Sequence, residues 1–452
     1  MFVDPDLTPF EPPPRPLGLR GLPLVFRNYI ETIPRSAYEE GVTSVGRKRN
    51  DVILITEPDL IAEVLVEKPE AFRRDPVTRR AFAPAIGNSL FLAEDAEWRW
   101  QRRAVAPIFR HETLLSFVPI FAKMAERQVE RWRAAKPDTP VDAAAAMTRT
   151  TFDIIVDAML GDSASLDAES FGRALTDSFN TIPWQVIYVA FSLPEWLPYP
   201  NRRRALRARD FLRRELLRIV EGRRAHPSAH PDLLGLLLAA RDPETGRTMT
   251  DADVVNNLLT FITAGHETTA VALSWTLWLL AKDQATQQRT YEEAKAAAGD
   301  GTIGAEQVEA LSYCRQVIQE AMRLFPPAPG IARQARAAME LGGLPIVAGA
   351  RVHIPVFALH RNSRLWDNPN AFDPERFTTD RIKARSRYAF LPFGGGPRIC
   401  IGAGFATIEA AVILATLVRS FRFAPLAGHK PKPVARVTLR PEGGMPLLIS
   451  AR

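Results

Sequence analysis

FGGGPRICIG, residues 393–402, places Cys400, one of two cysteines in the chain, behind three consecutive glycines and two residues after Arg398. Residues 394–396 carry no side chains, so the backbone there is free to take positive φ and to lie against something flat and large. The next segment, GFATIEAAVILATLVRSF, reads as a helix, amphipathic or buried. Its first turn aims N–H groups and the positive end of its dipole at the sulfur. Both effects favour thiolate over thiol. Such a thiolate serves as a nucleophile, a redox switch or a metal ligand.

Composition narrows the setting. The 452 residues are 46% hydrophobic and 24% charged, ordinary for a soluble protein with a large core, and no Gly/Ser linker or low-complexity tract divides them. A single domain over 1–452 is expected. The lead MFVDPDLTPFEPPPRPLGLRG lacks the order of a signal peptide. The long apolar run Val254–Leu280 is broken by Asn256, Asn257, His266 and Glu267, so it reads as a buried helix rather than a membrane span. A cytoplasmic protein without a membrane anchor is expected. Cys314 reads as a small apolar core residue. The seven histidines show no metal-ligand spacing, so a zinc site has no support. The net charge of +7 includes ten arginines between Arg202 and Arg224. Leu206, Phe211, Leu212, Leu216, Leu217 and Ile219 interleave with them at helical spacing. The arginines are then the wet side of an amphipathic helix, and no nucleic-acid partner is expected.

The coarse order is a β patch at DVILIT (51–56), a helical run from about Pro58 to Leu324, and irregular proline-rich chain beyond it. LPIVAGARVHIPVFAL reads as a hairpin around Gly349, and ARVTLRPEGGMPLLIS as a closing hairpin across EGG. The fold class is mainly α with minor β. Within the long helix, Thr250 and Asp253 form a plausible N-cap. The stretch AGHETT (264–269) follows, where Ala264 and Gly265 leave room on one face. Glu267 stands in otherwise apolar surroundings, where burial raises a carboxyl pKa and suits it to proton traffic.

For Cys400, a nucleophile needs a base, and no histidine lies near it in sequence. A planar haem accounts for more of the stretch: glycines for close approach, Arg398 for a propionate, and N–H groups to tune the iron. A structural buried cysteine stands beside that reading.

At these residues the chain resembles the cytochrome P-450 haem-thiolate monooxygenases, since Phe393, Gly396, Arg398, Cys400 and Gly402 match F-x-x-G-x-R-x-C-x-G. The resemblance covers nearly the whole chain. It implies the triangular cytochrome P-450 fold, with haem b between the long central helix and the cysteine loop, and Cys400 as axial ligand to the iron. Phe393, Gly402 and Ala264 then line the haem. Trp98 and Arg102 of EWRWQRR match a W-x-x-x-R motif and bind propionates with Arg398 and Arg333, for which Arg336 competes. Glu267 and Thr268 become an acid and alcohol pair relaying protons. Glu320 and Arg323 of EAMR and Arg376 of DPERF become a buried charge network of structural role, costly to break.

The implied reaction inserts one atom of O2 into a C–H bond, with electrons from NAD(P)H through a redox partner. That partner is expected to be an acidic ferredoxin or flavodoxin docking near Arg103 and Arg398. A soluble, bacterial-type monomer is expected. By position, the substrate pocket draws on Phe82, Phe91, Phe179, Phe261, Ala264, Gly330 and Ile331. These imply a hydrophobic small molecule: a fatty acid, terpenoid, steroid or alkyl-aromatic. Arg73, Arg74, Arg79 and Arg80 stand where they would meet a carboxylate at the pocket mouth. The rival readings are a haem-thiolate enzyme that uses peroxides or isomerises them, against which Thr268 weighs, and a non-enzymatic haem sensor.

Overall fold

A computed structural model describes residues 2–452 apart from 3, 5–6, 17–20, 22–23, 25–26, 46–51, 137–138, 162–167, 180, 192, 195, 228–231 and 436. The chain divides into two compact units. One comprises Met1–Phe72, Leu114–Ile154 and His266–Arg452; the other comprises Arg73–Thr113 and Ile155–Gly265. Helices dominate both, with small sheets, as the composition of apolar runs implies.

In the first unit, Val42–Val45 pairs antiparallel with Val52–Ile55, which runs parallel to Arg351–Ile354. Arg351–Ile354 in turn pairs antiparallel with Ile331–Ala335. The β-branched residues of these strands set the core, where Ile53, Ile55, Val352 and Ile354 bury against Ile61, Val64 and Leu65. Two expected hairpins are corrected here. Leu344–Ile346 pairs with Met339–Leu341 rather than across Gly349. Gly342 and Gly343 both take positive φ (53° and 81°), as a two-residue hairpin turn of this hand requires. Gly349 only redirects the chain into Arg351–Ile354. At the C-terminus, Leu439–Pro441 pairs with Pro433–Ala435, whereas Pro446–Ala451 pairs with Phe421–Pro425 and Val141–Asp142. Gly443 and Gly444, both at positive φ, carry the chain from one sheet to the next. Asp142 fixes the exit by accepting the Met445 N–H at 2.9 Å. The helical run from Pro58 is also interrupted, by short strands at Phe72–Arg74 and Val141–Asp142.

Two helices position the chemistry. The central helix, Asp251–Lys282, begins with the expected cap: Thr250 N–H donates to Asp253 Oδ2 at 3.0 Å, and Asp253 N–H to Thr250 Oγ1 at 3.2 Å. Its C-terminal half is anchored by Trp275, which stacks on Phe325 with centroids 4.0 Å apart. The cysteine helix, Ala403–Ser420, is long and apolar enough to cross a bilayer, but 67% of it is buried within the protein, as in a core helix. Phe405 packs edge-on against Phe121 of Val118–Arg133, at 4.8 Å.

In the second unit, the arginine-rich helix Arg202–Ala225 buries Ala208, Leu212, Leu216, Ile219 and Val220. Leu206 and Leu217, expected on that face, are exposed instead. Arg203, Arg207 and Arg214 face solvent, but Arg223 departs from the wet side. It is buried, donating to Asp232 at 2.7 and 2.5 Å and to the Leu160 carbonyl at 2.9 Å.

Candidate functional site

The cysteine loop is a tight backbone construction. Gly394 and Gly396 sit at φ 75° and 68°, a one-turn 3-10 segment covers Gly396–Arg398, and Cys400 N–H donates to Phe393 O at 2.9 Å. A Cβ on Gly396 would stand 1.9 Å from the Leu65 carbonyl oxygen, so no other residue fits without moving a neighbouring backbone. At Gly396 the missing side chain thus makes room for the Leu65 carbonyl. The Cys400 thiol is exposed, three residues before the first residue of the cysteine helix, and Gly402 N-caps that helix. Phe393, Arg398 and Gly402 are half-buried around it. Beside the loop, a Cβ on Gly394 would lie 3.8 Å from Ile331, which starts the strand carrying Arg333. Arg333 is half-buried there and donates to the Ala332 carbonyl at 2.9 Å. Its competitor Arg336 is committed elsewhere, its main chain to the Ala71 carbonyl and its Nε to the Phe72 carbonyl at 3.3 Å. Gly330 faces His353 and Tyr29, which a side chain there would strike.

The central helix shows an interruption of its own. From Val254 to Ala281 nearly every residue is buried, except over 263–268, where Ala264 is exposed and its neighbours are half-buried. The Thr151 hydroxyl donates to the His266 carbonyl at 2.8 Å. The room expected at Gly265 is taken by Ile155, whose Cδ1 would be 3.0 Å from an added Cβ, so only the Ala264 position stays open.

Glu267 also departs from expectation. Its carboxylate is not in apolar surroundings: Oε1 accepts from Arg440 Nε at 2.7 Å and from the Thr438 hydroxyl, and Arg440 Nη2 lies 2.6 Å away. Leu439, between these two partners, accepts the Trp275 indole N–H at 2.8 Å. One short strand thus grips the central helix at 267 and 275. Thr268, half-buried, follows on the helix.

A third group was missed by sequence reading. Glu409, the lone acid inside the apolar cysteine helix, is fully buried, and its Oε2 has no protein partner. Burial raises its carboxyl well above the ordinary range, so the folded protein keeps this proton. An unfolded glutamate releases it near about pH 4.3. Above that pH the folded state binds more protons than the unfolded one, so this group makes stability fall as pH rises, by up to about 1.4 kcal/mol per unit. Glu409→Gln is expected to remove that component and to raise stability at neutral pH. Denaturant midpoints between about pH 5 and 8 check this, and an unchanged slope would mean that the carboxyl is ionised in the folded protein.

Glu320, Arg323 and Arg376 do meet. Arg323 donates to both Glu320 oxygens at 2.6 and 2.8 Å, and Arg376 Nε approaches Oε1 to 3.4 Å without hydrogen-bond geometry. Arg323 also donates to the carbonyls of His360, Pro369 and Ala371, while Glu320 accepts the Asp373 N–H at 2.8 Å. The network thus ties the helix Ser312–Leu324 to the meandering loop that follows.

The second unit holds the other expected residues. Trp98 and Arg102, one turn apart on Asp95–Val105, are both half-buried. Arg103, expected at a docking surface, is instead held by Asp242 at 2.7 and 2.8 Å and by Glu244 at 3.1 Å. Phe82 brings Phe91 and Phe179 together, with centroids at 5.4 and 5.7 Å. Phe261 packs separately, against Phe109. Arg74 covers the Phe91 ring at 4.4 Å. Arg79 lies 4.0 Å from Glu94, while Arg80 donates to the Leu193 carbonyl.

Comparison with known proteins gives the family and the fold. The cytochrome P-450 family model matches residues 12–447. The taurochenodeoxycholic 6 alpha-hydroxylase of Sus scrofa is 31% identical over 88% of this chain and 81% of its own length. A cytokinin hydroxylase of Arabidopsis thaliana is 32% identical over 88% and 78%. The cyclooctat-9-en-7-ol 5-monooxygenase of Streptomyces melanosporofaciens is 32% identical over 83% and 81%. Among solved structures, the cytochrome P450DA heme domain superposes with a TM-score of 0.81 at 26% identity, over 91% of this chain and 90% of that one.

Proposed function

The chain belongs to the cytochrome P-450 family and is a monooxygenase using haem b, O2 and reducing equivalents from a redox partner; from that premise we propose that Cys400 ligates the haem iron and that Glu267 and Thr268 handle protons. The observation that carries the assignment is the exposed Cys400 thiol on a glycine-built loop at the start of a buried helix. Within the first unit the donor set fits the cofactor: one soft sulfur for iron, and half-buried Arg398 and Arg333 to donate to carboxylates; the family resemblance adds Trp98 and Arg102 of the second unit.

When bound, haem b supplies the redox chemistry, in which two electrons and two protons reduce O2, one oxygen atom entering a C–H bond and the other leaving as water. The helix N-terminus and nearby backbone N–H groups stabilise Cys400 as thiolate. Arg398, Arg333, Arg102 and the Trp98 indole N–H fix the propionates. The open Ala264 position provides space over the central helix. Thr268 donates a proton through its hydroxyl, and Glu267 renews it. Arg440 and the Thr438 hydroxyl hold the Glu267 carboxylate in place beside Thr268 on the helix.

The substrate proposed is a hydrophobic small molecule of terpenoid, steroid or fatty-acid type. The Phe82, Phe91 and Phe179 cluster supports it, as do relatives named as a taurochenodeoxycholic 6 alpha-hydroxylase and a cyclooctat-9-en-7-ol 5-monooxygenase. The electron donor proposed is an acidic ferredoxin or flavodoxin docking on the face near Cys400; Arg103 is already ion-paired with Asp242 and contributes less free charge than expected.

Thr268→Ala tests the proton role. Substrate binding and NAD(P)H consumption are expected to persist while product per NAD(P)H falls severalfold and hydrogen peroxide rises to match. Unchanged coupling would remove Thr268 from proton delivery.

A further inference from the structure

Arg361 lies outside every role assigned above. It is 5% exposed, and Nε, Nη1 and Nη2 all lack a protein acceptor. Both neighbours along its faces are aromatic: its guanidinium sits 4.0 Å from the Phe357 ring and 5.4 Å from Phe325. Phe10 backs Phe357, and Trp275 backs Phe325. Cation–π contact of this kind offsets only part of what burying an ion costs. The edge of the guanidinium, with its five N–H donors, is where the deficit remains.

The charges around it do not balance. Arg323, Arg361 and Arg376 are all buried, at 0%, 5% and 7% exposure, and the buried carboxylate among them is Glu320 alone. Glu320 is already engaged by Arg323 and Arg376. Asp373, the next acid in the loop, pairs with Arg381. His360 adds no acceptor, because burial holds it neutral and its Nε2 already accepts the Leu391 N–H at 2.9 Å. Burial lowers Arg361 only to about 9, so it is a cation at neutral pH. The Tyr38 hydroxyl, coupled electrostatically to Arg361, is also buried without a partner. Burial raises the Tyr38 phenol above its ordinary value, so it stays an O–H donor. The place therefore offers the Arg361 N–H groups and the Tyr38 O–H as unused donors in a region of excess positive charge, and the phenol oxygen, a neutral acceptor that no Arg361 N–H reaches, does not offset that charge.

We propose that the protein binds a small inorganic anion, a halide, between the Arg361 guanidinium edge and the Tyr38 hydroxyl. Water would satisfy the donors but leave the charge uncompensated. A halide does both, and its modest hydration suits a site walled by aromatic rings.

The test uses the haem-loaded protein. Crystals soaked in sodium bromide and measured at the bromine edge are expected to show an anomalous peak in contact with Arg361 and Tyr38; ordered water there with no bromide overturns the proposal. In solution, melting temperature in bromide, against gluconate at equal ionic strength, is expected to rise saturably by a few degrees. Arg361→Met is expected to abolish that rise, and an equal rise in both proteins overturns the proposal even if crystals show an ion. Should Arg361→Met fail to fold, Tyr38→Phe is expected to weaken the apparent bromide affinity severalfold, and unchanged affinity overturns the site.

Discussion

Cys400→Ser is expected to leave a folded protein in which reductant-driven hydroxylation falls to background. The side chain is exposed and serine is close to it in size, so the polypeptide should keep its fold, losing only the stability that iron ligation adds to the loaded protein. The chemistry is different. A serine hydroxyl is far harder to ionise than a thiol, and neither the helix N-terminus nor nearby N–H groups make it an anion at neutral pH. The electron density that a thiolate pushes onto iron, and with it the drive to cleave O2, is lost. Product formed per protein under NAD(P)H and a redox partner measures the effect, with thermal melting to show that the fold survives. Turnover retained in Cys400→Ser would mean that another residue ligates the iron.

Glu320→Ala is expected to cost about 3–5 kcal/mol of unfolding free energy, the largest stability effect anticipated in the molecule. The carboxylate is fully buried, bonded to Arg323 through both oxygens, and takes the Asp373 N–H as well. Removing it leaves the buried guanidiniums of Arg323 and Arg376 without the carboxylate that engages both. Arg440→Gln is the control: that partner of Glu267 is 61% exposed, and its loss should cost less than about 1 kcal/mol. Denaturant unfolding of both variants decides the matter. If Glu320→Ala costs no more than Arg440→Gln, the triad does not hold the loop.

The legible parts of the sequence were those where local chemistry dictates geometry. The cap at Thr250 and Asp253, the glycine turns before Cys400 and the Glu320, Arg323 and Arg376 spacing all read through, because each depends on residues whose roles a short motif constrains. Strand pairing did not. The two hairpins were misplaced because a glycine marks where the chain turns and not which strand it meets next: Leu344–Ile346 turns back on Met339–Leu341, Pro446–Ala451 on Phe421–Pro425, and Arg351–Ile354 reaches the distant Val52–Ile55. Glu267 was misjudged for the same reason: Thr438 and Arg440, which hold it, are distant in sequence. Glu409 offered a signal that local reading passed over, a single acid within eighteen residues of apolar helix.

The most direct test of thiolate ligation is the absorption spectrum of the purified, haem-loaded protein, reduced with dithionite under carbon monoxide. The predicted result is a Soret band at the long-wavelength position that marks a cysteine thiolate on iron, lost in Cys400→Ser. A band only at the shorter wavelength typical of histidine or neutral-thiol ligation, in folded protein, would contradict the assignment of Cys400.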